Sequence, residues 1–161
     1  MNGFRMTGSP LHCRAVLDSN VLVAATRWTD PHSPNRELIE RWQAADFTLL
    51  YSRDTVLEYA EKLLELSMNR TDAVEFIALI SALGEAVEIE FFHLPRYPDD
   101  ADDIAFLLCA WNGLASHLVS DDRHLLDLSV TYEADFTICR PLEFLAALRS
   151  SAATSDVPES S

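Results

Sequence analysis

No stretch of the chain approaches the roughly 18 consecutive apolar residues that a membrane-spanning helix needs. The opening "MNGFRMTGSPLHCRAVLD" also lacks a basic start followed by a long apolar run, so no secretory leader is expected and the cytoplasm is the expected location. Cysteine is scarce and scattered. Cys13, Cys109 and Cys139 are odd in number and form no C-x-x-C pair, which argues against a disulfide framework or a cysteine-ligated zinc and leaves three reduced thiols in or near the core. With only 4 glycines, a phosphate-cradling loop is hard to build, and neither G-x-x-x-x-G-K-[ST] nor G-x-G-x-x-G occurs. The G-x-S-x-G elbow of serine hydrolases is missing too. His12, His32, His93, His117 and His124 show no H-x-x-x-H spacing, which removes the helical zinc motif. His124, beside Asp122, reads as an ordinary turn histidine.

Positive charge is the other shortage. The chain has 12 basic against 26 acidic residues, a formal net charge of −14. A broad electrostatic grip on nucleic acid depends on clustered Lys and Arg, so this balance argues against one. Divalent ions held where carboxylates collect would relieve the conflict locally, since each brings two positive charges.

What is present is enough apolar material, 48% of 161 residues, for one domain with a real core. Residues 1–12 carry Gly, Ser, Thr and Pro without periodicity and read as a flexible leader. Residues 150–161, ending "SSAATSDVPESS", read as a disordered tail, and the domain is expected over 13–149. Within it short apolar runs alternate with helical patterns. Strands are expected at "CRAVLD" (13–18), "FTLLYS" (47–52), "AVEIEFF" (86–92, half-exposed or an edge), "SHLVS" (116–120) and "FTIC" (136–139).

Between the strands, Ser33 and Pro34 open a helix with Leu38, Ile39 and Trp42 on one face. Ser52 caps a second helix with a stripe of Val56, Leu57, Ala60, Leu63 and Leu64. Thr71 caps a third that ends near Gly84. "IAFLLCAWNG" and "PLEFLAALRS" follow, with "DDRHLLDL" expected as a turn. Strands alternating with helices predict an α/β fold, a mostly parallel sheet flanked by helices.

In such sheets ligands sit at the C-terminal ends of the strands. That rule selects Asp18, at the end of the first strand, Asp121 and Asp122 after "SHLVS", and Asp103 at the start of the helix leading into it. The run "DDADD" (99–103) exceeds the one or two acids that helix capping needs. Glu58 lies beside the apolar stripe of its helix and is expected to be partly buried, whereas Glu61 and Glu65 read as a solvated face. Ionised carboxylates gathered in this way repel one another unless a cation compensates. Mg²⁺ and Mn²⁺ prefer oxygen ligands, which suits a set without His or Cys.

These acids, in order and spacing, resemble the PIN domain, and particularly its bacterial branch of toxins from toxin-antitoxin systems. The resemblance rests on "VLDSNVLVAA", "SRDTVLEYAEKL" and "DDADDIAFLLCAWNGLASHLVSDDRHLL", and runs from about residue 14 to 145. It matches D-[ST]-N as Asp18-Ser19-Asn20, S-x-x-x-x-x-E-[LY] as Ser52 through Glu58-Tyr59, D-x-x-D as Asp100 to Asp103, and [ST]-x-D as Ser120 to Asp122. The chain departs from the family pattern at Asp121, where glycine or arginine is common, and at Ala101, where proline is.

The resemblance implies an acidic pocket of Asp18, Glu58, Asp103 and Asp122 that is both catalytic and metal-binding. Asp100 would serve in its outer shell, and Ser19, Asn20 and Ser120 would orient the carboxylates. It implies an endoribonuclease that hydrolyses RNA phosphodiester bonds with water activated by one or two Mg²⁺ or Mn²⁺ ions. It also implies a cognate antitoxin protein as partner and homodimer formation.

Arg96 and Arg123, next to the acid clusters in sequence, are candidates for holding substrate phosphate, or for pairing with those acids. Arg27 and Trp28, expected in a loop after the first strand, would reach a base or pack internally. Two other readings are a PIN-fold interaction or regulatory module with little turnover, which the negative charge favours, and a metal-dependent phosphomonoesterase. The second is disfavoured because "DSN" stands where a nucleophilic D-x-D would be.

Overall fold

A computed structural model describes residues 12–27 and 30–155. Trp28, most of the expected leader and the end of the expected tail lie outside these residues. Among the described residues five strands, β1 Arg14–Leu17, β2 Thr48–Tyr51, β3 Glu85–Ala86, β4 His117–Val119 and β5 Thr137–Cys139, form one all-parallel sheet in the order β3-β2-β1-β4-β5. Eight α-helices among the described residues flank the sheet: α1 Ser19–Arg27, α2 Pro34–Gln43, α3 Arg53–Glu65, α4 Arg70–Leu83, α5 Ile104–Asn112, α6 Arg123–Leu126, α7 Ser129–Tyr132 and α8 Pro141–Ser155. None is long and apolar enough to cross a membrane.

The parallel sheet flanked by helices is the expected architecture, and its central strands carry the apolar residues that such burial requires. Ala15, Val16, Leu17, Leu49, Leu50, Leu118 and Val119 are all fully buried. Around them pack Leu38 and Trp42 of α2, Tyr59 of α3, Phe106 and Leu107 of α5, and Phe144 and Leu145 of α8. The three cysteines are free and buried, as expected. Ring contacts tie the layers: Phe47 meets Phe144 edge-on at 5.1 Å, and Tyr59 meets Phe106 at 5.8 Å.

Several local expectations are corrected. Arg27, expected in a loop, is the last residue of helix α1, Ser19–Arg27. In α3 the buried stripe is Thr55, Tyr59 and Leu63, while Leu57 and Leu64 face solvent. The capping box explains the rotation: the Ser52 N–H donates to Thr55 Oγ1 at 2.8 Å and the Thr55 N–H to Ser52 Oγ at 3.3 Å, so Thr55 is buried with its hydroxyl satisfied. Ser33 occupies the N-cap of α2 without a side-chain capping bond.

Asn69, not Thr71, caps α4, its Oδ1 accepting the Asp72 N–H at 2.8 Å. The strand expected over 86–92 pairs only at Glu85–Ala86, where the Val87 N–H to Tyr51 O bond ends the ladder. "DDRHLLDL" holds the short helix α6 rather than a plain turn, and its last residue, Leu128, is the N-cap of α7. The last helix continues to Ser155, beyond the position where a tail was expected.

Order and direction position the site. β1 is central, with β2 and β3 on one side and β4 and β5 on the other, so the chain's direction across the sheet changes between β1 and β4. These two strands are in register, Leu17 opposite Val119. Both therefore end at one level, and the residues that follow them emerge side by side.

Candidate metal centre

Asp18 follows β1 directly, and its N–H is bonded to Val119 O of β4 at 2.9 Å. That bond extends the sheet by one residue and places the carboxylate at the C-terminal edge. Asp122 arrives three residues after β4 as the N-cap of α6, Oδ1 accepting the His124 N–H at 2.9 Å. Asp103 ends a 3-10 turn, Ala101–Asp103, immediately before α5. Oxygens of Asp18, Asp103 and Asp122 all lie within 4.8 Å of one another. Asp18 and Asp103 are buried and Asp122 is half-buried.

Ser120 ties two members of this set together. Its hydroxyl donates to Asp18 Oδ2 at 2.7 Å and accepts the Asp122 N–H at 2.9 Å. The strand beneath is held by the Ser120 N–H to Cys139 O at 2.9 Å. A fully buried hydroxyl thus fixes the first and last acids of the triad relative to each other. Tyr59, which the sequence did not single out for a role, acts from below: its buried hydroxyl donates to the Leu17 carbonyl, one residue before Asp18. Its sequence signals are its place inside an amphipathic helix and the last position of the pattern S-x-x-x-x-x-E-[LY], next to Glu58.

The electrostatics are those of an uncompensated cluster. Burial pushes Asp18 above the usual carboxylate range, against the Ser120 hydroxyl and the Ser19 N–H; Asp122 and Asp121 add to the upward push. Asp103 is pushed up to about 7, first by burial, then by Asp122, Asp18 and Asp100, and by a proton shared with Asp122. Its Oδ2 is buried and has no hydrogen-bond partner. A buried acceptor without a donor is costly and uncommon. Three convergent carboxylates with one orphaned oxygen fit a hard divalent cation, which satisfies that oxygen and removes the mutual repulsion.

Glu58 stands apart from this set: its carboxylate is not among the oxygens that approach so closely. It lines a neighbouring cleft of about 370 Å³ with Asp54, Leu57, Glu61 and Asp102. Burial raises its pKa first, then Asp102 and Glu61; Lys62 opposes and Asp100 adds. Asp100 is exposed and caps the 3-10 turn, Oδ1 accepting the Asp102 N–H at 3.0 Å. Ser19 is buried at the start of α1. Asn20 is exposed and lines a cleft of about 440 Å³ with Val23, Ala24, Arg27 and Leu66.

The ion pairs among the described residues engage Arg14, Arg36, Arg41, Lys62, Arg140 and Arg149, and leave Arg96 and Arg123 without one. Asp121 pairs with Arg140, the residue before α8, at 3.5 Å. His124 Nδ1 lies 3.8 Å from Asp99 Oδ2, an ion pair when the ring is protonated.

The model of the PIN domain family matches residues 14–124, most of the chain, and that span contains all three acids. No curated relative matches the chain.

Proposed function

The chain belongs to the PIN-domain family, and we propose that it is a divalent-cation-dependent endoribonuclease. The carrying observation is the buried triad Asp18, Asp103 and Asp122, with the Asp103 Oδ2 left unpaired. These three residues would hold Mg²⁺ or Mn²⁺. When bound, the ion supplies Lewis acidity toward a phosphodiester and toward water. Ser120 keeps the Asp18 carboxylate aimed at the centre and holds Asp122 in register with it. Asp100 sets the turn that delivers Asp103, and Ser19 donates its N–H to Asp18. Glu58 contributes a carboxylate from the adjoining cleft, aligning water or substrate rather than closing the triad. Asn20 contacts the substrate at the mouth of the site, and the free guanidinium groups of Arg96 and Arg123 receive phosphates.

The same reading makes the protein the cytoplasmic toxin of a toxin-antitoxin pair, inhibited by a cognate antitoxin and assembled as a homodimer. Cleavage of single-stranded RNA with Mg²⁺ or Mn²⁺, compared with EDTA and with Asp18→Asn, tests the enzymatic core. The expected result is cutting by the wild type with either ion and none in the two controls. Cation binding without cutting would favour the interaction or regulatory module instead, the reading to which the charge of −14 lends weight.

A further inference from the structure

Helix α1 starts at the proposed cation site, because the Asp18 carbonyl accepts the Val21 and Leu22 N–H groups at 3.0 and 3.2 Å. Along it Asn20, Val23, Ala24 and Arg27 stand at i, i+3, i+4 and i+7, one stripe of a single helix face. From Asn20 to Arg27 the helix rises about 10 Å. This stripe walls the cleft of about 440 Å³, with Leu66, the C-cap of α3, opposite. Val23 is buried beneath it, packed with Leu63 and Ala73, while Leu66 stays 38% exposed. The Arg27 guanidinium is exposed and has no ion pair among the described residues.

Charge sets this cleft apart. The chain has 26 acidic against 12 basic residues, yet the described residues lining the cleft include one cation and no carboxylate. The Glu58 cleft carries Asp54, Glu58, Glu61 and Asp102. A cleft of about 360 Å³ beside α8 holds Asp121 and Glu143, and its Arg140 is already paired with Asp121. On a surface whose overall field repels polyanions, an apolar floor with an unpaired guanidinium is where a negatively charged ligand is favoured.

We propose that this cleft is the subsite for the nucleotide next to the scissile phosphate of single-stranded RNA, with the base on Val23, Ala24 and Leu66, the Asn20 amide at its near end and Arg27 on the following phosphate. The inference rests on the ribonuclease reading and says where its substrate is held. Continuity selects the occupant. A strand whose phosphate lies on a cation at Asp18 enters the cleft at Asn20, where its next base meets an apolar floor before its next phosphate meets Arg27. The base must be unpaired to lie there, which selects single-stranded RNA. Apolar lining with a few polar groups at its ends is also the usual make-up of a site for a small, flat ligand group.

The test is binding of a fluorescent single-stranded oligouridylate to the Asp18→Asn protein, which separates binding from cleavage. Arg27→Gln should weaken binding by about tenfold, since it removes a charge-assisted contact. It should also flatten the slope of log K against log salt by about 0.7, one neutralised phosphate fewer. Arg27→Lys should keep the slope. Ala24→Glu places a carboxylate in the cleft on a residue that suits a helix, and should weaken binding by tenfold or more. Arg149→Gln removes the same charge outside the cleft, where Arg149 pairs with Glu37, and should change neither quantity. Circular dichroism should show the same fold throughout.

Undiminished binding by Arg27→Gln and Ala24→Glu would overturn the subsite, as would no binding by the parent. Weaker binding with an unchanged salt slope would show that Arg27 meets no phosphate and overturn it. Dissociation of a homodimer by either substitution would make the cleft a self-contact and overturn it too. If the wild type cuts no RNA but binding still depends on Arg27 and Ala24, the catalytic reading fails and the subsite stands.

Discussion

The Ser120 hydroxyl sits between Asp18 and the Asp122 backbone, donating to the first carboxylate at 2.7 Å and accepting from the second residue's N–H at 2.9 Å. One buried oxygen therefore couples the ends of two neighbouring strands at the proposed cation site. Ser120→Ala should cost about 1–3 kcal/mol of stability, because the Asp122 N–H loses its partner. It should also weaken Mn²⁺ binding roughly 10–100-fold. Calorimetric Mn²⁺ titration of the folded variant checks this; unchanged affinity would show that the hydroxyl does not orient the site.

Asp103 makes stability depend on pH in a direction opposite to that of an ordinary salt-bridged aspartate. Its folded pKa is about 7, raised from 3.8. Between those values the folded protein keeps a proton that the unfolded chain has released, so stability falls as pH rises from about 4 to about 7, then levels off for this group. The ceiling is on the order of 4 kcal/mol. Melting in EDTA across that range should give a shallower slope for Asp103→Asn than for the wild type. Saturating Mn²⁺ should raise the wild-type melting temperature, by about 2.7 kcal/mol of stabilisation at a hundredfold excess over Kd. The variant should gain little.

Tyr59→Phe removes the donor to the Leu17 carbonyl in a fully buried place. The expected cost is about 1–3 kcal/mol in denaturant unfolding, since the carbonyl is left without that partner. A loosened Leu17 also loosens Asp18, so cation affinity should fall with stability. A drop in stability with no change in Mn²⁺ affinity would confine the tyrosine to packing.

Glu58 and Asp103 should separate in experiment although both are acids in the proposed site. Glu58→Gln should keep most of the cation-induced melting shift, because its carboxylate lies outside the close triad, while RNA cleavage falls roughly 10–100-fold. Loss of the melting shift as well would move Glu58 into direct contact with the ion.

Much of the fold was legible because burial and periodicity are local. β1, β2 and β4 announce themselves as short apolar runs, and Asp18 and Asp122 stand where such runs end. The errors have equally physical causes. In "SNVLVAATR" the run of small and β-branched apolar residues reads as a continuation of β1, although Asp18 opens α1, its carbonyl accepting the Val21 and Leu22 N–H groups. In α3, Thr55 hides in the capping box and turns Leu57 and Leu64 outward. "VEIEFF" has strand chemistry, but the Asn112 side chain, 21 and 22 residues away, takes the Phe91 and Glu90 amides that a ladder would use.

By itself the chain's order of residues determined that strands and helices alternate, that acids follow β1 and β4, and that no cysteine or histidine set competes with carboxylate chemistry, for each depends only on near neighbours. Tertiary structure alone decided which acids meet. The β3-β2-β1-β4-β5 order sets β1 beside β4 and brings Asp18, Asp103 and Asp122 together while Glu58 opens into the next cleft. A helix spacing says which way a side chain turns about its own axis; only packing against another element says what it reaches.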